Sequence, residues 1–136
     1  MDKQALLEND HVLICLDVWE NEPDIQLDLL NRCLIATPHI AGYSLMAKQR
    51  ATRIMHRNIC GVLNITPPPE NSMEAQPISI TSKNWQSEVL QIFDPLVETE
   101  KMKKTLEVGS NICKRFITLR KQYSFRNEFR ITPYES

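Results

Sequence analysis

Three consecutive prolines, Pro67-Pro68-Pro69, set the strongest limit on how this chain can fold. Each proline fixes φ and removes a backbone donor, so neither a helix nor a central strand can run through the triplet. The run favours an extended, stiff segment, and residues 67–76 are read as a linker; a short proline-rich ligand is the other use of such a run. The 136 residues suffice for one modest domain or for two small pieces of a larger protein. The 42% apolar and 24% charged residues are ordinary for a globular protein. A net charge of −1 draws the chain to neither nucleic acid nor anionic lipid. No apolar run approaches the roughly 20 residues of a membrane span. The stretch Met1-Asp2-Lys3-Gln4 has neither the basic nor the apolar part of a signal peptide, so a cytoplasmic location is expected. Cys15, Cys33, Cys60 and Cys113 stand far apart. They are expected to be reduced and mostly buried, with neither a disulfide frame nor a metal site.

Before the prolines, two short apolar runs each end in a polar loop. Residues 11–16 form an unbroken apolar run after His11, which suits a strand buried on both faces of a parallel sheet. Residues 17–23 are acidic and end in Pro23, hence a loop; residues 25–30 suit one or two helical turns. Residues 33–37 form a second short strand. Both loops therefore fall at the carboxyl edge of an α/β sheet, where ligands bind in open sheets. Ser44 suits the cap of a helix running to about Leu63. Its apolar stripe, Ala47, Ala51, Ile54, Met55, Ile59, Val62 and Leu63, is expected to pack in a core. After the linker, a strand over residues 78–80, helices over 84–93, 100–106 and 111–123, and a returning strand over 129–132 compose a small α+β unit. The inward residues expected there are Trp85, Val89, Ile92 and Phe93, then Ile112, Phe116, Leu119 and Tyr123.

Only Gly42, Gly61 and Gly109 are glycines, so the sequence contains no Gly-rich phosphate-binding turn. Of three histidines, His56 reads as an exposed helical residue and His11 as structural. His39 lies at a strand end, and Glu20, Glu22 and Asp24 crowd the neighbouring loop. A carboxylate bonded to one imidazole nitrogen fixes the tautomer and frees the other nitrogen to exchange a proton with a hydroxyl. A solvated acidic loop is the plainer account of any one of these carboxylates. Asp17 closes a buried strand and needs a partner there, either a cofactor amide or a backbone group.

Leu16-Asp17-Val18-Trp19-Glu20-Asn21-Glu22-Pro23 resembles the L-D-V-x-x-x-E-P signature of the D-2-hydroxyacid dehydrogenases. Thr37-Pro38-His39-Ile40-Ala41-Gly42 resembles their T-P-H-I-A-G signature, in the expected order and spacing. Asp2-Lys3-Gln4-Ala5-Leu6 is similar to the D-x-x-A-L start of the preceding helix. Gly42-Tyr43-Ser44, with Lys48 and Thr52, resembles the branch of that family whose substrate is 4-phospho-D-erythronate. So do Phe116, Leu119-Arg120, Tyr123, Arg126 and Glu128-Phe129, which match the F-x-x-L-R-x-x-Y-x-x-R-x-E-F run of that branch's dimerisation domain. Met46, Ala47 and Ala51 depart from the branch's Glu, Gly and Gly.

The resemblance implies an α/β fold: the C-terminal part of a Rossmann-type NAD-binding domain followed by a small α+β dimerisation domain. The implied division is 1–43 for the NAD-binding part, 44–66 for a connecting helix, 67–76 for the linker and 77–136 for the dimerisation domain. The implied activity is NAD-dependent oxidation of the C2 hydroxyl of 4-phospho-D-erythronate, on the route to pyridoxal 5'-phosphate, in a homodimer. His39 would be the general acid/base and Glu22 would orient it. Asp17 and Gly42 would contact the cofactor, and Tyr43 the substrate. The Gly-rich turn and the carboxylate-binding arginine of the family have no counterpart here, so the chain is expected to be a C-terminal fragment with little activity alone. A non-catalytic dimerisation module and another D-2-hydroxyacid dehydrogenase are the alternative expectations.

Overall fold

The structure, a computed structural model, describes residues 3–69, 77–81 and 83–131. In chain order its elements are α1 (Lys3–Glu8), β1 (Cys15–Leu16), α2 (Leu27–Arg32), β2 (Ile35–Ala36), α3 (Leu45–Leu63), β3 (Ile78–Ile80), α4 (Trp85–Ile92), α5 (Pro95–Glu107), α6 (Ile112–Gln122) and β4 (Phe129–Ile131). The fold is thus mixed α/β, with two small parallel sheets, β1–β2 and β3–β4.

Two compact units form, and their borders are not at the prolines. One unit combines Met1–Ala41 with Phe93–Ser124, and the other combines Gly42–Ile92 with Phe125–Ser136. Residues 77–136, expected to form one domain, are divided between them. The reason is physical: prolines stop helices, but burial decides which segments pack together. Pro67-Pro68-Pro69 are exposed and outside any helix or strand, and linker residues 70–76 lie outside the described residues.

In the first unit, Ile14, Trp19, Leu29, Leu30 and Ala36 share one core with Met102, Leu106, Phe116 and Leu119. Cys15 pairs with Ile35 and Leu16 with Ala36 in parallel register. The expected strand over 11–16 shrinks to its last two residues, and Leu13 is 76% exposed rather than buried. Its first half is taken into a turn: Val12 N–H donates to Asn9 O, and the Arg32 guanidinium donates to the carbonyls of both Asn9 and Val12. The second expected strand, over residues 33–37, likewise reduces to Ile35–Ala36.

α5 starts five residues before the helix expected over 100–106. Asp94 accepts from Leu96 N–H and Pro95 occupies the first turn, where a missing N–H costs nothing. α5 then covers the outer edge of β2. Ala36 N–H donates to Thr99 Oγ1 at 2.9 Å and Lys103 Nζ donates to Cys33 O at 2.9 Å. Side chains thereby satisfy backbone groups that a further strand would otherwise take. In α6, Asn111 caps the start through Lys114 N–H, and Phe116 and Leu119 are buried as their spacing predicts.

In the second unit, Ser44 caps α3 as expected, accepting from Ala47 N–H at 2.9 Å, and Asn64 closes it in a left-handed conformation. The core-packing expectation for its apolar stripe fails. Ile54, Met55, Ile59 and Leu63 are exposed and Val62 is 82% exposed; the one buried residue of the helix is Cys60. The unit supplies only a short helix and a two-stranded sheet, and among the described residues nothing is laid along that stripe. The expected strands at 78–80 and 129–132 are both found, parallel to one another, with Ile78 beside Phe129 and Ile80 beside Ile131; Thr132 lies outside the described residues. Arg126 backbone groups bond Tyr43 and Leu45, which ties the approach to β4 to the start of α3. In α4, Trp85 is exposed and Val89 and Ile92 are half-buried, so the expected inward face is only partly formed.

Candidate active site

Because β1 and β2 run parallel, the loops after Leu16 and after Ala36 emerge at the same edge. Asp17 is the first residue of one loop and organises the other. Its Oδ1 accepts from Thr37 Oγ1 at 2.7 Å and from Ile40 N–H at 2.7 Å, and its Oδ2 accepts from Ala41 N–H at 3.0 Å. The partner that its strand-end position demands is thus largely backbone. These bonds close a turn in which His39 adopts φ 58° and donates its N–H to Thr37 O. A non-glycine residue there stores roughly 1–3 kcal/mol of strain and needs such constraint. Buried Pro38 and Ile40 on either side supply the rest.

Glu22 meets His39 from the first loop. Its Oε2 lies 2.9 Å from His39 Nδ1, and its Oε1 accepts from Trp19 N–H at 2.8 Å. Trp19 is itself buried, and its indole N–H donates to Thr37 O at 2.8 Å. One aromatic residue therefore ties both loops together. The Glu22 side chain is 18% exposed and that of His39 40%. A carboxylate only accepts hydrogen bonds, so in the neutral imidazole it favours the tautomer with the proton on Nδ1 and a lone pair on Nε2. This arrangement can take a proton from a hydroxyl at Nε2 and stabilise the resulting imidazolium from the other side.

The sequence-derived pairing of His39 with an acidic neighbour thus has a geometric counterpart, and of the three acidic candidates the one in contact is Glu22; Glu20 and Asp24 are exposed. Gly42 and Tyr43 belong to the second unit. A side chain at Gly42 would meet open space. The Tyr43 ring packs 5.8 Å from that of Phe125, with Lys48 Nζ 4.2 Å from its centroid. His11 and His56 are exposed, the latter 3.5 Å from Cys60 Sγ. Among the described residues no cluster of His, Cys, Asp or Glu could hold a metal ion. Burial pushes the Cys33 thiol up to about 11.

Sequence reasoning missed one contributor. Arg120 of α6 brings Nη1 to 4.0 Å from Glu22 Oε2. A signal was present: it follows buried Leu119 and lies one turn after buried Phe116, so it sits at the border of the packed face. The resemblance of the F-x-x-L-R run to a dimerisation domain does not point to this contact.

No family model matches the chain. Curated relatives do. An erythronate-4-phosphate dehydrogenase of Coxiella burnetii (strain RSA 331 / Henzerling II) is 39% identical over 145 residues, covering 100% of this chain. One from Legionella pneumophila (strain Lens) is 34% identical across 95% of the chain, and one from Bacteroides thetaiotaomicron 36% identical across 94%. The chain spans only 39%, 36% and 36% of the lengths of these relatives. Among the described residues no helix is long and apolar enough to cross a membrane. From end to end, the chain is thus related to the erythronate-4-phosphate dehydrogenases, of which it spans about two fifths.

Proposed function

We propose that this chain carries the acid–base pair of an NAD-dependent dehydrogenase that oxidises 4-phospho-D-erythronate to 2-oxo-3-hydroxy-4-phosphobutanoate in pyridoxal 5'-phosphate biosynthesis. The observation that carries the proposal is the 2.9 Å bond between Glu22 Oε2 and His39 Nδ1 at the shared edge of two parallel strands. The names of the relatives support the substrate. His39 Nε2 accepts the proton of the C2 hydroxyl as hydride leaves that carbon, and Glu22 holds the ring and stabilises its positive charge. The nicotinamide of NAD, when bound, supplies the hydride acceptor.

The residues present fit the reacting end of such a cofactor and not its phosphates. Asp17 and the turn it closes stand at the strand edge beside His39, whereas the chain has three isolated glycines and no Gly-rich turn. Asp17 and Gly42 are proposed at the nicotinamide end, and Tyr43 at the substrate. The carboxylate-binding arginine implied by the family has no counterpart among these residues. The Rossmann-type origin of the first unit, a cytoplasmic location and a homodimer formed through residues 77–136 belong to the same proposal.

The test is a chimera in which these residues replace the aligned stretch of the Coxiella burnetii relative. NADH formation from 4-phospho-D-erythronate is expected, with a loss of roughly 10²–10⁴-fold on His39→Ala. Near-normal turnover in that variant would sink the assignment. The 136-residue chain alone is expected to form no NADH at a measurable rate.

A second reading, a non-catalytic association module, is favoured by the exposed stripe Ile54, Met55, Ile59, Val62 and Leu63 on α3. An inactive chimera together with self-association of the chain in sedimentation would select it.

A further inference from the structure

We infer that Arg120 is a positioning residue of the proposed site, holding Glu22 in the rotamer that meets His39. The inference rests on the acid–base reading above and adds to it a residue from α6. Glu22 is the only link between His39 Nδ1 and the rest of the protein among the described residues. One of its oxygens is fixed by Trp19 N–H at 2.8 Å, a bond made near the start of the same loop. The other, Oε2, is the one His39 uses, and it faces Arg120 Nη1 at 4.0 Å. Without a charge on that side, the Oε2 arm is restrained by the imidazole alone. With it, the carboxylate lies between two cationic or proton-donating groups and a backbone donor.

Three observations make Arg120 suited to this. Its helix is anchored by Phe116 and Leu119, both buried in the core that also contains Trp19. Its side chain is 37% exposed, with Nε shielded from solvent, so the stem lies against the protein and the fork faces the carboxylate. All of these groups belong to one compact unit.

A nuclear magnetic resonance experiment on the isotope-labelled 136-residue chain tests this without any need for turnover. In the wild-type chain, His39 is expected to show a single tautomer with an observable Nδ1–H signal. In Arg120→Met, which keeps an apolar stem and removes the charge, that signal is expected to disappear into exchange with water. The Trp19 indole N–H signal, which reports the local fold through Thr37 O, should remain. Arg120→Lys should retain the His39 signal. An unchanged His39 signal in Arg120→Met overturns the inference. Should Arg120→Met fail to fold, Glu22→Gln is read from the other side: the Arg120 Nε–H signal must shift, and its constancy overturns the inference. If the His39 signal is lost in Glu22→Gln but not in Arg120→Met, the role of Arg120 falls and the Glu22–His39 pair stands. If His39 is indifferent to both, the pairing of Glu22 with His39 falls as well.

Discussion

Between Pro38 and Ile40 the backbone passes through a left-handed histidine, and the constraint comes from a carboxylate more than twenty residues earlier. Asp17 accepts three hydrogen bonds from the turn it closes. Replacing it by alanine removes the acceptor of all three bonds, which costs roughly 1–3 kcal/mol. Asp17→Ala is therefore expected to lower the urea midpoint of the first unit, read from Trp19 fluorescence, and an unchanged midpoint would show that the turn is held otherwise. Cys33 offers a second test at this scale. Burial, against the opposing pull of the Lys103 and Arg32 cations, raises its thiol to about 11, and the thiolate is the reactive form. At pH 8 a thiol reagent should label exposed Cys15 in the folded chain and leave Cys33 intact until the chain is denatured. Labelling of Cys33 at the rate of Cys15 would contradict the packing of the core.

At the scale of elements, the start of α3 and the approach to β4 are joined through one carboxylate. Ser44 Oγ donates to Glu128 Oε1 at 2.6 Å while accepting from Ala47 N–H, and Arg50 reaches the same oxygen at 3.1 Å. The Ser44 hydrogen bond foremost, then Arg50 and Arg126, holds the Glu128 carboxyl below its ordinary value of 4.5. A carboxyl depressed on folding adds stability above its unfolded value and loses it as pH falls through the folded one. The second unit should therefore lose stability on acidification below about pH 4.5, and Glu128→Gln should flatten that part of the pH profile. Equal slopes in both proteins would reject the tie. The start of α3 is legible, because the Ser44 cap is local chemistry. The strand after His11 was less so, because its apolar run says nothing about Arg32, which folds half of it into a turn. The start of α5 is not legible, because Pro95 after Asp94 both follows one helix and opens the next. The candidate pair was legible because Glu22 and His39 each sit in a recognisable loop signature; Arg120 was not, because the contact depends on how α6 packs.

For the whole molecule, connectivity is the dominant fact. The chain leaves the first unit after Ala41, returns at Phe93 and leaves again after Ser124. A protease site inserted in the exposed stretch between Ile65 and Pro67 should therefore yield two pieces that still co-elute under native conditions, since each contributes to the first core. Separation of the pieces on native gel filtration would mean that α5 and α6 do not hold that core together.

That threading bears on inheritance. The strand edge that carries His39 lies in the first third of the chain, yet Thr99 caps the backbone of β2 and Phe116 fills the core beneath it. A premature stop codon between His39 and α6 would leave Glu22 and His39 translated and still deprive them of a fold. Selection on the candidate pair Glu22 and His39 would therefore also be selection on the reading frame for some eighty codons beyond it.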